Sequence, residues 1–309
     1  MITSLFKKST PINFAFVFLM LLFFFLTTQF HQVGTVFSFG LMAKKTILFV
    51  TIFGCFFIGN FIIKKNGLSK DSAFTVLFYL LLLLFFPSVM NNSKLFLANF
   101  FILLALRRLF SLQTSKSQKE KIFDASLWVF VASLFHFWSI LFIILVFVSI
   151  LFHTARDYRT WFLPFIAFFV SMVVLLFFDL VFDANNVGKL IANSVSDFEV
   201  NYFINNYQNL ALSLFAPISL FFIANLGLTI SNRPIILHST YKKIIAAFFI
   251  GLLVFVFSPN KSNEILIFTF VPLAFAMTIF VETPQSKAKT ELFFLAVVGC
   301  SLFAFFSQL

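Results

Sequence analysis

Apolar runs of about the twenty residues needed to cross hydrocarbon follow one another from Ile12 to Phe306, parted by short polar stretches. Inside a bilayer the backbone must satisfy its own hydrogen bonds, which leaves helices or closed barrels. Barrel strands would alternate apolar and polar residues, and these runs do not. The runs therefore predict an all-α fold, a polytopic bundle of transmembrane helices. Composition agrees: 61% of the 309 residues are hydrophobic and 11% charged, against about 25% charged in a soluble domain. No polar block is long enough for a separate soluble domain, so residues 1–309 read as one membrane-embedded domain. The 55 phenylalanines read as lipid-facing bulk in place of leucine rather than as an aromatic ligand surface.

The expected spans are 12–28, 46–63, 73–90 and 95–108, then 160–183, 208–230, 244–258, 265–281 and 292–306. Between the fourth and the next lies the stretch 125–152, interrupted at Phe135-His136-Phe137-Trp138-Ser139. As one helix its 28 residues would reach about 42 Å, too long for a core of about 30 Å. Two half-helices breaking near His136 are the alternative, and the positive-inside rule separates the two topologies. With the N-terminus cytoplasmic and a hairpin here, 17 of the 22 Lys and Arg residues lie inside and 5 outside (Lys44, Lys45, Lys94, Lys189, Lys261). A single crossing gives 12 against 10. The charges thus predict a half-helix hairpin at 125–152 and ten to eleven membrane segments in all. The first run, after Lys7 and Lys8, lacks a small-residue cleavage site and reads as an uncleaved helix. Segment 29–43 is expected to lie in the interface, and 187–203 to form an amphipathic surface helix.

The net charge of +11 is the loop bias of a bacterial cytoplasmic membrane protein, not a nucleic-acid footprint. Cys55 and Cys300 form neither a C-x-x-C pair nor a metal cluster. Motifs for nucleotide hydrolysis, serine nucleophiles or zinc do not occur, so no cofactor and no metal are expected.

Ala105-Leu106-Arg107-Arg108-Leu109, the basic loop, Phe123-Asp124-Ala125-Ser126 and Ala132-Ser133-Leu134-Phe135-His136 resemble a recurring feature of the GT-C class of polytopic glycosyltransferases. The later turn with Pro259 and Lys261, before a span containing Pro272, resembles theirs too. That resemblance implies action at the outer face on sugars carried by polyprenyl phosphates. GT-C enzymes place a catalytic carboxylate in the first outer loop, whereas no acidic residue here precedes Asp71. Gln29, His31 and Gln32 stand at that place instead, and His31 is of a type that can act as a base. The whole chain is also similar to a family of Phe-rich bacterial multi-pass membrane proteins, which implies a fold and no mechanism.

Four residues are candidates for a site. His136, at membrane depth, is either functional or a cap for broken backbone. Asp179 and Asp183, one turn apart, either bind an acceptor or mark the water boundary. Lys261 either meets a lipid phosphate or is a solvated turn residue. Catalysis would fall to His136 and Asp179, facing one cavity, and substrate binding to Lys261 and Asp183. Two functions follow: a GT-C-like scaffold that acts on or binds lipid-linked glycans, or a non-enzymatic envelope component such as a transporter subunit or the structural partner of a larger complex. Membrane lipids are expected around the chain and a polyprenyl-linked sugar in the first case; the sequence names no protein partner.

Overall fold

The computed structural model describes residues 2–30, 39–114, 116–183, 185–196, 206–259, 261–283 and 286–309. It is helical throughout, with no strand among the described residues. A short 3-10 segment, Ile2–Lys7, leads into α1 (Pro11–Phe30), opened by a proline whose missing N–H would be unpaired there anyway. Helix α2 (Phe39–Lys65) ends on two lysines, favourable at the negative end of the helix dipole. Then come α3 (Phe74–Phe85), α4 (Ser93–Phe110), α5 (Gln118–Phe135), α6 (Ile143–His153), α7 (Tyr158–Phe182) and α8 (Asn186–Ala192). The chain finishes with α9 (Asn206–Thr229), α10 (Ile235–Phe257), α11 (Ile267–Glu282) and α12 (Lys287–Gln308).

Helices α3 and α11 form the centre. Every residue of α3 is buried, as is α11 from Ile267 to Phe280, which is why both read as unbroken apolar runs with no polar face. Where hydroxyls occur inside they find partners: Thr75 and Thr278 meet at 3.1 Å between the two helices. Asn99 of α4 donates to Tyr79 of α3 at 3.1 Å and approaches Cys55 of α2. Gly251 lets α10 press against α11, since a Cβ there would lie 2.8 Å from Thr269 Cγ2 and 3.1 Å from the Phe268 carbonyl. Helix α7 is peripheral, packing on α5 and presenting Phe162, Phe165, Phe169 and Phe177 outward.

Helix α5 stops at Phe135, His136 is extended (φ −143°, ψ 105°), and a 3-10 turn over Phe137–Phe142 leads into α6. The chain turns back here. Lys119, before the break, pairs with Asp157, after α6, at 2.9 Å. Lys243 of α10 donates to the Leu109 carbonyl at the end of α4 and meets His153 Nε2 at 3.2 Å. Both ends of 118–153 therefore lie at one end of the bundle, which is termed the basal end below. The hydrogen bond from Lys119 holds the Asp157 carboxyl below the usual carboxylate range. The pair's contribution is therefore complete above about pH 4, the carboxyl's unfolded value, and is lost as pH falls through the lower folded one.

Among the described residues, eight helices are long and apolar enough to cross a membrane: α1, α2, α4, α7, α9, α10, α11 and α12. The third expected span is shorter than read: Pro87 keeps Phe86 out of helical backbone (φ −136°, ψ 76°) and α3 ends at Phe85. Helix α2 begins at Phe39, so Lys44 and Lys45 sit within it rather than before it. The surface helix expected over 187–203 is α8, seven residues long; positions 197–205 lie outside the described residues, as do His31 and Gln32.

Two outcomes test this packing. Gly251→Leu should lower stability by about 1–3 kcal/mol through overpacking, read by SDS titration of the purified protein in mixed micelles. In a Cys55→Ala, Cys300→Ala background, Lys119→Cys and Asp157→Cys should join through a short bis-maleimide; failure to join would put the two loops at opposite ends.

Candidate functional site

Three helix interruptions meet at the end opposite the basal one. Phe86–Pro87 breaks α3 from α4, His136 breaks α5 from α6, and Ser258–Pro259 breaks α10 from α11, each followed by a 3-10 turn. Two of the breaks have a local cause, because a residue preceding proline is driven out of helical backbone. His136 has no such neighbour and is held instead by its side chain, whose Nε2 lies 2.9 Å from Ser258 Oγ and whose ring rests on Phe268. Ser258 Oγ spends its proton on the Val254 carbonyl at 2.6 Å. It must then accept from His136, which places the imidazole proton on Nε2 and leaves Nδ1 as the acceptor.

The rest of this end is sewn together by amides. Asn92 donates to Glu264 at 2.8 Å, Asn263 to the Gln208 carbonyl at 3.0 Å, and Gln29 to Asn91 at 2.6 Å. Gln308 of α12 reaches the Phe85 carbonyl at 2.8 Å, taking up one of the acceptors that the end of α3 exposes. Trp138 lies flat on Phe257 with ring centroids 5.2 Å apart. Three buried polar atoms here, Trp138 Nε1, Ser139 Oγ and Asn263 Oδ1, find no hydrogen-bond partner among the described residues. Buried groups of this kind are ordinarily satisfied, by water or ligand if not by protein.

The candidates separate into two groups. His136 and the turn bearing Lys261 come to the same tip. Asp179 does not join them: its carboxylate accepts from Asn186 N at 2.9 Å, Asn186 Nδ2 at 2.7 Å and Val187 N at 3.0 Å, capping α8 where the helix dipole favours an anion. Asp183, exposed and left-handed at φ 48°, closes the end of α7. An apolar groove of about 310 Å³ lies between α5, α7 and α8, walled by Phe130, Phe137, Phe168, Met172 and Leu190. Neither His136 nor Asp179 lines it. No family model matches the chain, and no curated protein or solved structure matches it. Among the described residues, no three His, Cys, Asp or Glu side chains come together in a metal-binding group.

Sequence reasoning passed over the basal end. Lys243 looks like half of a loop dibasic pair with Lys242, yet α10 begins at Ile235 and carries both well inside the helix. Lys243 is 0% exposed, with its ammonium on the Leu109 carbonyl and over the Phe110 ring. The signal that could have found it is the helical spacing Thr240, Lys243, Ala247, all buried. Glu282 likewise ends α11 and accepts from Ser69, Ser72 and Lys70 N, closing the loop before α3.

Lys243→Met should cost on the order of 1–3 kcal/mol, the penalty for stranding a buried acceptor, while its exposed neighbour Lys242→Met should change stability by less than about 0.5 kcal/mol. SDS titration of the two variants side by side measures the contrast.

Proposed function

We propose that this chain is a multi-pass protein of a bacterial cytoplasmic membrane, N-terminus inside, built as a GT-C-like scaffold that binds lipid-linked glycans at its outer end. The all-helical fold and the eight membrane-length helices are compatible with a multi-pass protein. Counting α3, α5 and α6 as partial crossings brings the segments to eleven.

One observation supports the glycan reading above the others. The two stretches that carry the GT-C resemblance, one ending at His136 and one beginning beside Pro259, lie far apart in sequence and touch through the His136–Ser258 hydrogen bond. Around that contact stand an indole N–H donor, a hydroxyl and an amide acceptor without partners, a set that sugar hydroxyls can answer. In this reading His136 Nδ1 accepts from a sugar hydroxyl, Lys261 supplies charge for the lipid phosphate, and Asp183 stands exposed at the same end. Asp179 takes no part, because its oxygens are spent on α8.

A second reading, a non-enzymatic partner or transporter subunit, is favoured by the α5–α7–α8 groove and the outward aromatic face of α7, which bring no charged groups together. Mass spectrometry of lipids retained through purification separates the two. The first expects a polyprenyl-phosphate-linked sugar whose retention drops at least tenfold in His136→Ala and Lys261→Gln. Phospholipids alone would leave the partner reading.

The sidedness has its own test. An impermeant maleimide added to intact cells should leave single cysteines at Ser117 and Arg156 unlabelled and should label one at Ser262; labelling at Arg156 from outside defeats this topology.

A further inference from the structure

A second groove lies at the opposite side of the bundle, between α1 and α2, over α3. It holds about 310 Å³ and is walled by Phe14, Phe18, Leu21, Phe53 and Phe57, with Asn60 as its polar residue. From Phe14 to Leu21 it runs seven residues, about 10 Å along the helix. That lies within the depth of one leaflet, half of a core of about 30 Å. Its length and its walls suit a hydrocarbon chain rather than a polar solute.

The groove's mouth is basic. Lys64 Nζ sits 5.5 Å from the centre of the Phe14 ring, bonds to Ser9 Oγ and pairs with Asp71 at 2.7 Å. Asn13 at the start of α1 donates to the Lys8 carbonyl at 2.7 Å, fixing the backbone of the Lys7–Lys8 segment beside that mouth. Both lysine side chains are exposed, and neither pairs with a carboxylate among the described residues. Of the acids on the segments next to this mouth, Glu282 holds the loop before α3 and Glu291 accepts from Thr3. The charge at the mouth is therefore open to an anion.

Inside the groove, Asn60 Oδ1 is buried without a hydrogen-bond partner among the described residues. Asn60 precedes Lys64 by four residues on the same face of α2, about 6 Å deeper, the level at which a lipid's ester groups lie below its phosphate. A terminal amide has a broad, two-fold torsion, so turning it over presents N–H donors to an ester carbonyl. Polar groups at this depth are costly unless something answers them.

We propose that this groove holds one acyl chain of an anionic glycerophospholipid from the leaflet at the basal end, its phosphate against Lys7 and Lys8 and its glycerol ester at Asn60. The inference concerns the basal end and is independent of the glycan reading at the other.

Native mass spectrometry of the purified protein with dioleoyl phosphatidylglycerol and dioleoyl phosphatidylcholine tests the charge. The parent should prefer the anionic lipid by about 30-fold, two lysines at roughly 1 kcal/mol each. The double change Lys7→Gln, Lys8→Gln, at exposed positions, should bring the preference to within about twofold. Photo-crosslinking tests the chain's place: benzoylphenylalanine at Phe57 should attach to lipid. Ala15→Trp, which fills the groove, should remove that adduct, and Ile12→Trp, exposed on the same helix outside it, should not. Equal retention of the two lipids, an adduct to a second protein chain in place of lipid, or an adduct that survives Ala15→Trp each overturns the proposal. Should Ala15→Trp fail to fold, the double lysine variant and the parent's adduct decide it.

Discussion

A peptide group buried away from water has no partner but protein, so every place where a helix stops in a packed interior must be answered by protein. Three stops, at Phe86, His136 and Ser258, shape this molecule. Each alone would leave several carbonyls and amides bare. Brought together, they are covered by one another's side chains: Gln308 on the end of α3, Ser258 on His136, and the Asn92–Glu264 bond between the first and third tips. The burial of α3, and of α11 as far as Phe280, follows from this, because each begins or ends at a stop and needs the other helices around it.

The basal end uses charge where the other uses amides. Lys243 caps the end of α4, Glu282 gathers the loop before α3, and the Arg108–Asp124 and Lys119–Asp157 pairs fasten the entry and exit of the broken hairpin. The exposed pairs contribute little individually. Their value is in fixing which loops are neighbours. Burying Lys243 is the costlier arrangement, made tolerable by a carbonyl and an imidazole placed at its head.

Much of this was legible in the sequence. The apolar runs gave the helices through local composition alone, and the Lys and Arg residues summed over all the loops gave the return of the chain at His136. The Pro87 stop could have been read as a helix end, since its cause is also local, but the run's hydropathy carried the expected span past it. The role of Asp179 could not be read: its spacing to Asp183 is the same whether the carboxylate meets a ligand or the amides of Asn186 and Val187. The meeting of His136 with Ser258 depends on tertiary packing between residues with no sequence relation, as does the burial of Lys243.

The tautomer of His136 has a mechanical consequence. Its Nε2 proton is engaged by Ser258, and the other nitrogen is left to accept. A hydrogen bond made to Nδ1 therefore leaves the link between the second and third tips unbroken. The ring can answer a partner while the backbone it holds stands still.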